Sequence, residues 1–158
     1  MHIRVLLVDD ETFVAEGVRA YLEDEDIEVR ITSSAEAALE LVRQGTRFHV
    51  CIMDMRLTGM DGNTAIRALA YADPELRFLI HTGSAGYVIP DDLRAIGILN
   101  SDLFFKPQID MGVLTVAVRR VATASAEGAT EAGHAEGGGQ PPPFVAPEPT
   151  HRRSSPTH

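Results

Sequence analysis

The chain has 158 residues, with 14 basic and 23 acidic side chains and a formal net charge of −9. Its length fits one ordinary domain, or one domain with a tail, and an apolar content of 44% suffices for a core. The acid excess argues against phosphate neutralisation on duplex DNA; the apolar run Val5–Val8 is too short for a signal segment or a membrane span; and a single cysteine, Cys51, cannot close an internal disulfide, so the expected location is the cytoplasm.

Ile3–Val8 is an apolar run that stops at Asp9-Asp10, the pattern of a strand buried on both faces. Val14, Val18, Tyr21 and Leu22 recur at helical spacing and predict an amphipathic helix over 11–24. Glu28–Thr32 alternates and reads as a short strand. Ser33 with Glu36 three residues later is a capping-box signal, followed by a helix through Ala38, Leu39, Leu41 and Val42 that ends near Gly45. Phe48–Met53 is a second buried-type strand, again running into an acid, Asp54. Residues 62–72 predict a third helix, with Asp61 as its cap, and Leu76–His81 a fourth strand. Residues 83–90 form a loop, Asp91–Ile96 a short helix, and Leu103–Phe105 a last strand stopped by Pro107. Asp110 then caps a final helix through Val121. From Thr123 to His158 there is no Leu, Ile or Met, and Gly and Pro cluster, so residues 123–158 read as a disordered tail on a domain spanning 1–122.

Five strands alternating with five helices predict an α/β fold, a doubly wound five-stranded parallel sheet with helices on both faces. Ligands in such folds sit outside the carboxyl ends of the strands. Asp9-Asp10, Asp54, Thr82 and Lys106 all fall at such ends. Three carboxylates in one cleft repel one another unless a cation is present, and a hard ion such as Mg²⁺ suits a few carboxylates with phosphate oxygens. A lysine adds a point charge and a threonine a hydroxyl, which completes a set able to place a phosphoryl group on a carboxylate. Taken singly, each residue has a plainer role. Asp9 and Asp10 fit a helix cap, Thr82 an ordinary strand end, and His49 and His81 satisfied structural histidines; Cys51 is inert core.

With Val8-Asp9-Asp10-Glu11, Asp54 followed by Gly59-Met60-Asp61-Gly62, Thr82 and Lys106-Pro107 in order, residues 1–122 resemble the receiver domain of two-component response regulators. The resemblance implies a flavodoxin-like sheet of strand order 2-1-3-4-5. It implies that Asp54 accepts a phosphoryl group from a sensor histidine kinase or a histidine phosphotransfer protein. It implies that Asp10 and Asp54 ligate Mg²⁺ directly, that Asp9 acts through water, and that the Arg56 carbonyl completes the site. Lys106 would pair with the phosphate and Thr82 would turn inward to meet it, while side chains at Arg56 and Ser84 tune hydrolysis. Such a domain modifies itself and is not an enzyme in the turnover sense. Output would pass through contacts with a downstream protein, with no direct DNA binding and no membrane, as a monomer or a phosphorylation-dependent dimer. The tail is too short and polar for an output domain, so a stand-alone receiver is expected.

Three positions depart from the pattern. Thr58 stands where the family usually has proline, which predicts a looser loop. Leu103 stands where an aromatic usually reports the switch, with Phe104 on the opposite strand face. Gly83 replaces a common alanine. A phosphorylation-independent binding module of the same fold is therefore a second reading. An Asp-nucleophile phosphatase is a third, although that group carries Asp-x-Asp at the first strand where this chain has adjacent acids.

Overall fold

The computed structural model describes residues 1–107 and 110–134, with side chains through Ala124. In chain order it contains β1 (Arg4–Val8), α1 (Thr12–Asp24), β2 (Glu28–Thr32), α2 (Ala35–Arg43), β3 (Val50–Met53), α3 (Gly62–Ala72), β4 (Arg77–Thr82), α4 (Asp91–Ala95), a 3₁₀ turn (Asn100–Asp102), β5 (Leu103–Phe105) and α5 (Met111–His134). The strands form one parallel sheet ordered β2-β1-β3-β4-β5, as predicted.

Alternation along each strand builds two cores on one sheet. Leu6 and Val8 of β1, Cys51 and Met53 of β3, and Phe78 and Ile80 of β4 pack against α2, α3 and α4, with Leu39, Ile66 and Leu93 among their partners. Val5, Leu7, Val50, Ile52 and Leu79 point the other way, onto Val18 and Leu22 of α1 and Leu114 and Val118 of α5. Because β1 and β3 feed both cores, they read as continuous apolar runs rather than as alternating ones. Leu103 packs into the first core and Phe104 into the second, the opposite faces that strand alternation requires.

Several boundaries differ from the sequence reading. The cap of α2 is Ser34, whose hydroxyl accepts the Ala37 N–H at 3.1 Å. Ser33 and Glu36 form no capping box; the Glu36 carboxylate instead accepts the Met60 N–H across the adjacent loop. Tyr21, counted in the buried stripe of α1, is exposed. The 3₁₀ turn was not foreseen; it is tied to α5 by Arg120, whose guanidinium donates to the buried Asp102 carboxylate at 2.7 Å. The helix expected to stop near Val121 runs on to His134, so residues 123–134, read as part of a disordered tail, are helical. Low apolar content rules out burial but not helix: extending an existing helix needs no new nucleus, and this stretch is rich in alanine. The proline-rich remainder, residues 135–158, lies outside the described residues.

Candidate functional site

Parallel strands all point the same way, so their carboxyl ends meet at one edge. The ladder extends one residue past β1, β3 and β5 and fixes site residues there. The Asp9 N–H donates to Thr32 O, the Asp54 N–H to Val8 O, and the Lys106 N–H to Thr82 O, at 3.1, 2.9 and 2.8 Å. Asp9, Asp54 and Thr82 are buried, and the Lys106 side chain keeps 10% of its exposure.

The ammonium of Lys106 lies 2.8 Å from Asp9 Oδ2, 3.4 Å from Asp54 Oδ2 and 3.7 Å from Glu11 Oε1. Each buried carboxylate also holds a backbone donor two residues on. The Glu11 N–H reaches Asp9 Oδ1 at 2.9 Å, and the Arg56 N–H reaches Asp54 Oδ1 at 3.0 Å. Asp54 Oδ2 receives no hydrogen bond among the described residues and lies 3.4 Å from the lysine ammonium. Asp10 is the more exposed acid, and the Thr58 hydroxyl donates to its Oδ2 at 3.2 Å. Thr82 Oγ1 accepts the Ser84 N–H at 3.1 Å, which leaves its own proton free to donate. The Arg56 side chain is exposed, and its backbone borders Asp54.

Burial pushes the Asp54 carboxyl above its ordinary value; the Arg56 N–H and Lys106 work against that push, and the Asp9 charge adds to it. For Lys106, burial alone would lower the pKa, but Asp9, Asp54 and Glu11 outweigh it and hold the ammonium above its usual range. A carboxylate oxygen from each of Asp9, Asp10 and Asp54 lies within 4.8 Å of the other two. Three hard oxygen donors against one lysine, with an Asp54 oxygen that has no hydrogen bond among the described residues, fit a small divalent cation such as Mg²⁺. The five strand-end residues singled out in the sequence are therefore gathered at one edge, with the backbones of Arg56 and Ser84 bonded to Asp54 and Thr82. Neither acid caps α1, whose cap residue is Glu11 and takes no side-chain bond.

The Asp54–Asp61 loop is not loose. The Arg56 N–H is tied to Asp54, the Thr58 hydroxyl to Asp10 and the Met60 N–H to Glu36, and Asp61 caps α3 by accepting the Thr64 N–H at 2.9 Å. The missing proline was visible in the sequence; the bond that the threonine makes instead was not. Tyr87 likewise carries no motif signal in the sequence. Its hydroxyl donates to Asn63 Oδ1 at 2.6 Å and ties the loop after Thr82 to α3.

His49 is satisfied as expected, accepting the Arg4 N–H at Nδ1. His81 is not. It is buried, and neither ring nitrogen has a hydrogen-bond partner among the described residues. Burial first, and the Lys106 charge second, hold its pKa down to about 4, so the ring is neutral at pH 7. It borders an open groove of about 510 Å³ beside the site, walled by Phe13, Val14, Val18, Pro107 and Met111. Cys51 is buried and its thiol is pushed up by desolvation, as inert core should be.

The sequence profile of the response regulator receiver domain matches residues 5–119. Among curated proteins, the cell cycle response regulators CtrA of Brucella ovis and Brucella anthropi are each 29% identical over 105 residues. The match takes in 66% of this chain but 44% of each relative, so the chain spans less than half the length of the curated proteins it matches. Among solved structures, a CheY-like receiver domain protein of Methanospirillum hungatei superposes with a TM-score of 0.67 at 21% identity, over 81% of this chain and 99% of that one. A receiver protein of Sinorhizobium medicae gives 0.66 at 24% identity, over 78% and 97%. These two likenesses speak to the fold.

Proposed function

This chain belongs to the response regulator receiver domain family, and from that premise we propose that it is a phospho-accepting switch whose nucleophile is Asp54. The observation that carries the reading is the state of that carboxylate. One oxygen is fixed by a backbone N–H; the other takes no hydrogen bond among the described residues and lies 3.4 Å from a lysine ammonium. Positioning and charge are what phosphoryl transfer asks of a protein.

In this reading Asp54 Oδ2 attacks the phosphorus of a phosphohistidine on a sensor kinase or phosphotransfer protein. The P–O bond forms as the P–N bond breaks, and the imidazole leaves and takes up a proton. Asp10 and Asp54, with Asp9 through water and the Arg56 carbonyl, would hold Mg²⁺, which would supply positive charge to the phosphoryl oxygens. Lys106 pairs with one phosphoryl oxygen, and the Thr82 hydroxyl donates to another. The acyl phosphate is later hydrolysed, with Arg56 and Ser84 flanking the path of water. The domain thus modifies itself and is not a multiple-turnover enzyme. Output passes through protein contacts, for which the exposed Phe105, Val113 and Val116 along β5 and α5 offer an apolar surface. We place the protein in the cytoplasm, acting without direct contact to DNA, as a monomer or a phosphorylation-dependent dimer.

Leu103 favours a second reading, a module that binds its partner without phosphorylation, because no ring at that position couples Thr82 to the surface. Intact mass after incubation with a small acyl phosphate, with and without Mg²⁺, separates the two. The switch gives a single Mg²⁺-dependent phosphate adduct that is lost in Asp54→Asn. A folded protein with no adduct is the binding module. An adduct that persists in Asp54→Asn puts the nucleophile elsewhere.

A further inference from the structure

We propose that Thr58 is a positioning residue for Asp10, holding the one exposed carboxylate of the cluster in place for a divalent cation; the inference rests on the switch reading above. The three acids are not held alike. Asp9 and Asp54 are buried, each anchored by a backbone N–H and by the charge of Lys106. Asp10 has neither. Among the described residues, the only hydrogen bond to its carboxylate comes from the Thr58 hydroxyl at 3.2 Å, from a residue 48 positions away in the chain.

An exposed carboxylate free to change rotamer must be immobilised when a cation binds, at a cost in side-chain entropy. A donor already in place removes part of that cost. Partners that orient a ligand without touching the metal commonly change its affinity by tenfold or more. Thr58 is suited to the task because its β-branched side chain is stiff at χ1. Its backbone is fixed on both sides as well. The Arg56 N–H is bound to Asp54 before it; after it, Gly59 turns the chain at φ 90° and the Met60 N–H is bound to Glu36. The hydroxyl uses one lone pair of Asp10 Oδ2. The other lone pair, and all of Oδ1, stay open to a cation.

The test is the Mg²⁺ dissociation constant of the full chain, followed by amide chemical shifts, for the wild type, Thr58→Val and Thr58→Ser. Valine keeps the branched shape and removes the donor; serine keeps the donor. The expected result is about tenfold weaker Mg²⁺ binding in Thr58→Val, at the lower end of the range for such partners. Thr58→Ser should recover most of that loss, and the metal-free melting temperature of Thr58→Val should match the wild type. Equal affinity in Thr58→Val and wild type overturns the proposal and leaves the switch reading standing. Failure of Thr58→Ser to recover affinity overturns it too, because the hydroxyl is then not the cause. A wild type that does not bind Mg²⁺ at millimolar concentration overturns the switch reading, and this inference with it.

Discussion

A neutral imidazole buried beside the Lys106 ammonium leaves a mark on stability. His81 has its folded-state pKa depressed from 6.5 to about 4, by burial and then by Lys106. As pH falls, the unfolded chain takes up the proton first. The stabilisation from keeping the ring neutral is therefore complete above pH 6.5 and is lost on acidification towards pH 4, by up to about 3 kcal/mol through linkage. His81→Leu removes that component. Denaturant melts at pH 7 and pH 4.5 should show a larger loss in the wild type than in the variant; equal losses would mean that the ring charges in the folded state. The missing partners of His81 could not be read from sequence, which sees an apolar strand and not the environment across it. The Thr58–Asp10 bond was hidden for a similar reason, since it depends on rotamers brought together from two loops.

Two glycines show how the elements around the site are held. At the start of α3, a Cβ on Gly62 would lie 2.8 Å from the carbonyl oxygen of Asp54 and 2.6 Å from Met55 Cε. The methionine can swing aside, but the backbone oxygen cannot, so Gly62→Ala forces α3 away from the end of β3. On the exposed side of α1, Gly17 has nothing within 4 Å. Gly62→Ala should cost about 1–3 kcal/mol by overpacking, while Gly17→Ala should add about 0.5–1 kcal/mol of helix propensity. Chemical denaturation checks both, and a like sign for the two would refute the account. The limits of β2, α3 and β5 were legible to the residue because apolar spacing and turn residues agree there. Ser33 and Ser34 are chemically equivalent caps, and the choice is made by where β2 releases the chain. The overrun of α5 is not legible in apolar spacing, because its alanines favour helix without burial. The strand-end groups were the most legible part of the site, since parallel topology alone collects them.

At the scale of the molecule, one sheet carries two cores, and the site is the seam where its strands end. A ligand that binds only the folded state stabilises the whole. At one hundred times its dissociation constant, Mg²⁺ should add about 2.7 kcal/mol. Scanning calorimetry of the wild type and Asp10→Ala, in Mg²⁺ and in NaCl of equal ionic strength, checks this. Specific binding raises the melting temperature in Mg²⁺ alone and fades in Asp10→Ala. Equal shifts in both salts would assign the effect to screening of the net charge of −9. Among the 14 basic side chains only one is lysine, and it is Lys106, at the centre of the seam with 10% of its side chain exposed. A reagent that acylates amines therefore has a single side-chain target in these 158 residues, distinguishable from the α-amine of Met1 by peptide mapping. Its rate of labelling becomes a direct gauge of how open the cleft is, a reporter that the protein carries without an added dye.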